Sequence, residues 1–304
     1  MQNRISVFGS INMDLVIYSN SSPSEGETIF GNNFETFLGG KGANQAVAAA
    51  RMGSEVSFVG KVGSDLFGKI LKEKLELEDI ETELLQEHTG ESGVAFINVI
   101  ESTAQNQITV ISGANSHAQS DQLSDEALSS SEIILSQLEV PLQEIEKLFS
   151  RASNKGCLRI LNVAPALQLS ETLFNETDIF LVNEQELSAL SNKPLNVDDI
   201  GSIKECIDSL QLNDDQSIVV TLGSKGVYVH QHNKNEFFSG HKVNAVDTTG
   251  SGDCFIGAMA SNMLLSKNLF ESADLANKAA ALSVTKKGAS VSMPRRQEVI
   301  DFWS

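Results

Sequence analysis

Asp247-Thr248-Thr249-Gly250-Ser251-Gly252-Asp253 is a glycine-rich turn that closes on a carboxylate, and the helical run Cys254-Phe255-Ile256-Gly257-Ala258-Met259-Ala260 follows it directly. Small residues let backbone N–H groups converge on an anion, and a helix N-terminus adds the positive end of its dipole. A carboxylate fixed at such a place repels a phosphate, unless it takes a proton from the group attacking that phosphate. An N-cap aspartate on a glycine loop is the purely structural alternative. The surroundings that the rest of the chain provides decide between the two.

Outward from this turn, short β-branched runs alternate with helical patterns. Strands are expected at Ile5–Phe8, Val56–Val59, Ile133–Leu138, Arg159–Val163, Ile179–Val182 and Ile218–Leu222. Helices are expected at Ala43–Arg51, Phe67–Leu77, Leu142–Asn154, Glu184–Leu190 and Ile203–Leu210. Strand, helix, strand at this spacing predicts an α/β fold with a mainly parallel sheet covered on both faces. Leu15–Phe37 and Val94–Ile111 break the rhythm, because short strands with polar turns replace the helices. Their alternation suits a small sheet with one face exposed or docked, either a lid or dimer surface or an ordinary edge hairpin. Ser116–Ser131, rich in serine and acid, reads as a loop with one helix, and no internal repeat is visible.

Composition excludes several classes. A chain of 304 residues buries a sizeable core, in one large domain or two small ones. The formal net charge of −18 argues against nucleic acid or an anionic membrane as partner. Any phosphate must then be held by local devices: backbone amides, a few lysines, a divalent cation. Cys157, Cys206 and Cys254 are odd in number, with no CxxC, which fits reduced thiols better than disulfides or zinc. Met1–Phe8 reads as a strand and not a signal peptide. No apolar run approaches the ~20 residues of a membrane span. A cytoplasmic location is expected.

Four further clusters stand where expected strands end. Gly9-Ser10-Ile11-Asn12-Met13-Asp14 follows the first strand, and an amide and a carboxylate two positions apart suit adjacent sugar hydroxyls, or a simple turn. Gly39-Gly40-Lys41-Gly42-Ala43-Asn44-Gln45-Ala46 is neither a P-loop nor a dinucleotide fingerprint. It offers close backbone approach with Asn44 directed at a ligand. Asn183-Glu184-Gln185-Glu186 opens a helix, and its acids either complement the dipole or meet hydrated Mg2+. Thr221-Leu222-Gly223-Ser224-Lys225-Gly226 is a turn able to pass under a nucleotide, or a hairpin into Val227–His230. Turns of purely structural origin would be shared between both ends of a sheet. These five clusters gather at one.

Gly39–Gly63 and Asp247–Ala260 resemble the two signature regions of the ribokinase-like (PfkB) carbohydrate kinases, and the likeness runs nearly end to end. Leu138-Glu139-x-Pro141, Gly26-Glu27-Thr28 and Val284-Thr285-x-Lys287-Gly288-Ala289 add to it, and the long Gly-Gly-Lys-Gly-Ala-Asn stretch is its most specific part. The resemblance implies one three-layer α/β/α sandwich over residues 1–304, with a β-lid formed by about 15–38 and 94–111. It implies ATP-dependent phosphorylation of D-ribose at O5. Asn12, Asp14, Gly40, Lys41, Gly42, Asn44 and Glu139 would line the sugar pocket. Asp253 would act as base, and the amides of Gly250, Ser251 and Gly252 would form an anion hole. Asn183, Glu186, Thr221, Gly223, Ser224, Lys225, Gly226, Gly252 and Asn277 would serve ATP, with Glu186 meeting Mg2+ through water. Asp247, Thr249, Ser283, Lys286, Gly288 and Ser292 match a monovalent-cation (K+) site, several through carbonyls. A homodimer through the lid is also implied. Two departures stand out: Ser251 where the family usually has alanine, and Asn277 near a position often histidine. Within the same chemistry the acceptor alternatives are deoxyribose, a ketohexose, a sugar acid or a nucleoside. A sugar sensor without catalysis would have shed Asp253 or its glycines. A dehydrogenase lacks its G-x-G-x-x-G after the first strand.

Overall fold

Strand β1 (Arg4–Phe8) turns Ile5 and Val7 to one face and Phe8 to the other, all fully buried. Such a strand needs cover on both sides. The computed structural model describes residues 4–102 and 105–304. Positions 1–3, read above as leading into the first strand, and 103–104, inside the second lid stretch, lie outside the described residues.

From β1 the chain leaves the main sheet for an antiparallel pair, β2 (Asn12–Ser19) and β3 (Asn33–Gly39). It returns through α1 (Lys41–Arg51) to β4 (Glu55–Gly63), then through α2 (Leu66–Glu76) to β5 (Leu85–His88). A second excursion makes β6 (Gly93–Ile100) and β7 (Gln105–Ile111). Two 3₁₀ turns and α3 (Asp125–Leu128) lead to β8 (Ile133–Gln137). Then α4 (Leu142–Ser153), β9 (Leu158–Asn162), α5 (Glu171–Asn175) and β10 (Ile179–Asn183) follow in alternation. The helices α6 (Glu184–Ser191) and α7 (Ile200–Ser209) precede β11 (Ser217–Thr221) and the hairpin of β12 (Gly226–Gln231) and β13 (Lys234–Ser239). The chain ends with α8 (Ser251–Ser266), α9 (Leu269–Ser283) and α10 (Arg296–Phe302).

Nine strands form the main sheet in the order β13-β12-β11-β10-β9-β8-β1-β4-β5. All its pairings are parallel except those of the β12–β13 hairpin. Two cores sandwich it. Val7, Leu135, Leu181 and Val219 pack with α1, α2, α8 and α9 on one face. Ile134, Phe180, Ile218 and Val220 pack with α4, α6 and α7 on the other. The three-layer α/β/α architecture is thus the expected one. The second sheet, β3-β2-β6-β7, carries its own small core of Val16, Ala95 and Ile97.

All the strands and helices expected from pattern are present. The lid begins earlier than the alternation suggests: Asn12 and Asp14 are residues of β2 and not of the turn after β1. The helix α9 has no expected counterpart, because alanine, serine and asparagine are buried on several of its sides and blur the 3.6-residue period. Ser116–Ser131 holds its one short helix together with the 3₁₀ turn Ser120–Gln122. The helices α1 and α8 pack closely at Gly257, where a Cβ would lie 2.3 Å from the Gln45 carbonyl oxygen. That approach brings the N-terminal turns of both helices to one point, at the carboxyl ends of the central strands.

Candidate active site

The turn before α8 is left-handed at Gly250 (φ 72°), the N-cap of the helix, a conformation natural to glycine. A Cβ there would also sit 2.9 Å from Ala289 Cβ. Of the amides expected to face an anion, Ser251's turns back to the Thr248 carbonyl (3.2 Å). The Gly250, Gly252 and Asp253 amides donate to no acceptor among the described residues. Space is open in front of Gly252. A cavity of ≈ 180 Å³ lies against this helix end, reached by Asp253, Lys41, Asn183, Glu186 and Thr221.

Asp253 is held by two amides of α1. Asn44 Nδ2 donates to Oδ2 (3.0 Å) and Gln45 Nε2 to Oδ1 (2.9 Å). Burial pushes the Asp253 carboxyl up, against the pull of Lys41, Gln45 and Asn44, while Glu139 adds to the rise. Burial disfavours the Lys41 ammonium too, yet Asp253, Glu139 and Glu186 outweigh it and hold that lysine above its ordinary value. The N-terminal amides of α1 are satisfied from outside the helix. Ala43 N donates to the Ser10 carbonyl (2.9 Å) and Lys41 N to Glu139 Oε2 (3.3 Å). Ser10 Oγ also donates to Glu139 Oε2 (2.5 Å), so Gly9–Ser10, α1 and the segment after β8 are tied at one place. The Asn44 Oδ1 atom is buried and has no partner among the described residues; a buried acceptor of this kind asks for a ligand donor.

Asp14 is buried on β2, level with Phe37 and Ala95 of the neighbouring lid strands. Burial first, then the charges of Glu139 and Asp253, push its carboxyl up to about 7. Asn12 Oδ1 accepts from Asn115 Nδ2 (2.8 Å), which leaves the Asn12 amide nitrogen as the free donor. Asn115 also holds both backbone groups of Ile11. Three openings surround this region. Asn12 and Glu139 border one of ≈ 560 Å³, Asp14 and Asp247 one of ≈ 260 Å³, and Asp253 the smaller cavity described above. Asp14 and Asp253 border different openings of this region, and the Asp253 charge contributes to the rise at Asp14.

Asn183 caps α6, and Glu186 completes a capping box: its two carboxylate oxygens accept from Asn183 N (2.8 Å) and Nδ2 (3.0 Å). Burial pushes the Glu186 carboxyl up, despite the Asn183 amide and Lys41. Gly223, Ser224, Lys225 and Gly226 lie outside this cavity, in a 3₁₀ turn and the start of β12. The Lys225 ammonium pairs with Asp198 at the surface. Asn277, buried on α9, donates to the Ser239 carbonyl (2.9 Å), and the Gly240 amide next to it donates to the Lys225 carbonyl (2.8 Å). These nucleotide candidates form a second group, stitched to one another and apart from the Asp253 cavity.

The cation candidates gather around Asp247. Its Oδ1 accepts from Thr249 N and Oγ1, and its Oδ2 from Gly288 N (2.8 Å). Burial opposes ionisation there, but the Gly288 and Thr249 donors bring the carboxyl below its ordinary value. Ser283 and Ser292 hydroxyls donate to the carbonyls of Ala280 and Ala289, while the Lys286 ammonium points to Glu298 at the surface. No group of three His, Cys, Asp or Glu side chains suited to a metal occurs among the described residues.

Sequence reasoning missed Gln45, Asn115, Gln137 and Asn162. Gln45 adjoins Asn44 in the same glycine-led run and was within reach of it. The other three are isolated amides on separate elements and leave no signal.

Fold and site together define a class: a carbohydrate kinase with a mainly parallel sheet, a β-lid and a glycine-led helix N-terminus beside a carboxylate. The pattern of the pfkB family carbohydrate kinases matches residues 2–296, and the chain belongs to that family. The ribokinase of Haemophilus influenzae is 39% identical over 305 residues, spanning 99% of each chain. The deoxyribokinase of Salmonella typhi is 36% identical over 304 residues, 99% of this chain and 98% of that one. Among solved structures, the Arabidopsis thaliana ribokinase complexed with ribose and ATP superposes with a TM-score of 0.90 at 31% identity, covering 99% of this chain and 98% of that one.

Proposed function

We propose that this enzyme transfers the γ-phosphoryl group of ATP to O5 of D-ribose, with Asp253 as the base. One observation carries the reading: a buried carboxylate, gripped by two amides, stands at a helix N-terminus where the Gly250, Gly252 and Asp253 N–H groups have no partner among the described residues. Ribose and ATP are the ligands of the Arabidopsis enzyme. Phosphoryl transfer depends on alignment and charge stabilisation more than on covalent help from protein.

In this reading Asn12, Asp14, Lys41, Asn44 and Glu139 hold the sugar hydroxyls, and the orphaned Asn44 Oδ1 receives one of them. Asp253 takes the proton of the 5-hydroxyl as its oxygen attacks. The Gly250, Gly252 and Asp253 amides meet charge on the phosphoryl oxygens. Glu186 fits hydrated Mg2+: Asn183 occupies one side of its carboxylate and leaves the outer lone pairs for water. When bound, Mg2+ supplies charge neutralisation on the phosphates. The carbonyls and Asp247 around Gly288 fit a K+ ion that shapes the loop without touching substrate. Closure of the lid keeps water from competing as nucleophile. The exposed Ile17, Phe34 and Phe96 of the lid suit a homodimer contact. Three free, buried cysteines suit a cytoplasmic enzyme.

The deoxyribokinase likeness makes 2-deoxyribose the acceptor to exclude. Turnover of ribose, deoxyribose, fructose, a 3-deoxy sugar acid and adenosine with Mg-ATP, with and without K+, tests the reading. Ribose is expected to lead in kcat/KM by more than about tenfold. A smaller margin, or a lead for another acceptor, overturns the substrate assignment.

A further inference from the structure

Gln45 is fully buried, and its side-chain amide joins three others. Its nitrogen donates to Asp253 Oδ1 (2.9 Å) and Asn162 Oδ1 (3.1 Å), and its oxygen accepts from Gln137 Nε2 (2.6 Å). An ionised carboxylate only accepts hydrogen bonds, so Asp253 dictates which end of the Gln45 amide faces it. The Gln45 oxygen is thereby turned toward Gln137, which must present its NH2 group in return. Asn162, at the end of β9, directs its own NH2 to the Leu181 carbonyl (3.2 Å) and its oxygen to Gln45. The Gln137–Gln45 row is thus polarised toward Asp253.

Its far end is informative. Gln137 Oε1 is buried without a partner among the described residues and lies against Gly9, where a Cβ would come within 2.1 Å of it. An unpaired buried oxygen is costly, and packing alone is better served by apolar side chains at such positions. Two fully buried glutamines at the carboxyl edge of the sheet therefore need another reason.

We infer that Gln45, backed by Gln137 and Asn162, is a positioning residue that fixes the plane of the Asp253 carboxylate for attack by the sugar hydroxyl. The inference rests on the reading of Asp253 as base. Gln45 on Oδ1 and Asn44 on Oδ2 together restrain rotation of the carboxylate and leave its other lone pairs for the acceptor hydroxyl. The amide row also lowers the cost of charge in a buried place. The ionisable groups around Asp253 are Lys41 on α1, Glu139 after β8, Asp14 on β2 and Glu186 on α6. The Gln45 donor works with Lys41 against the three acids.

The test uses Gln45→Met and Gln137→Met, near-isosteric replacements without the amide, with thermal melting as the control for folding. In Gln45→Met, kcat is expected to fall about tenfold to hundredfold, with ribose KM within about twofold of wild type. The acidic limb of its pH–kcat profile is expected to move up by about one unit. Gln137→Met touches neither Asp253 nor the proposed sugar pocket, and should shift both readouts less, in the same directions. The double variant should be no worse than Gln45→Met alone. A folded Gln45→Met enzyme with wild-type kcat and pH profile overturns the inference. If Gln45→Met does not fold, an unchanged Gln137→Met enzyme overturns it equally. Near-full turnover by Asp253→Asn instead removes the base itself, so the two failures are distinct.

Discussion

On the acceptor side of Asp253 the candidate groups are side chains from α1, β2 and the segment after β8, and most are buried and cross-linked. On the nucleotide and cation side they are largely turns and carbonyls: a 3₁₀ turn with its lysine at the surface, and a loop held by Asp247 through backbone amides. A polyol presents hydroxyls at fixed positions and is read by directional, buried donors and acceptors. A phosphate chain is bound by amides and dipoles that nearly any side chain can accompany. Substitutions should therefore act strongly on the acceptor side and weakly on the other.

The largest expected effect tests the junction of the two. Asp253→Asn keeps the size but loses the proton acceptor and turns an NH2 group toward one of the two flanking amide donors, and kcat should drop by ~10²–10⁴ with ribose affinity little changed. Steady-state turnover together with calorimetric titration of ribose separates these quantities. Near-wild-type kcat would remove the base role.

Asp14 gives an intermediate effect with a pH signature. Its carboxyl titrates at about 7 in the ligand-free protein, held up mainly by burial. If Asp14 holds sugar hydroxyls as proposed, its ionised form is the better acceptor, and ribose KM should fall as pH rises through about 7. Asp14→Asn should raise KM about tenfold and flatten that dependence. Because the folded value lies above the unfolded one, the folded state holds the extra proton between them. Asp14 therefore costs stability progressively as pH rises from about 4 toward 7. Melting of the ligand-free protein across that range should show a decline that Asp14→Asn lessens.

Lys225→Met belongs to the weak side. Its ammonium is engaged with Asp198 at the surface, so the ATP KM should change less than about threefold. A change matching that of Asp14→Asn would erase the contrast between the two sides.

The same contrast explains what the sequence discloses. Ile218-Val219-Val220 and its parallels announce central strands because cover on both faces demands continuous apolar residues. Asn44 and Asp253 stand out because each sits beside glycines at a helix start. Asn115, Gln137 and Asn162 do not, since each is a single amide whose meaning arises only when a 3₁₀ turn and two strands converge. The glycine-led helix start was legible as a candidate anion hole, but not which of its amides stay unpaired among the described residues: the turn geometry takes Ser251's for Thr248. The role of the Ser251 side chain has no explanation in the structure.

The central claim is phosphorylation of ribose at its primary hydroxyl. It is tested most directly by incubating uniformly ¹³C-labelled ribose with Mg-ATP and the enzyme and recording the ¹³C spectrum of the product. Phosphorus coupling at C5, with one ADP formed per ribose consumed, is the expected result. Coupling at C1, or ADP formation without phosphorylated sugar, would contradict the account.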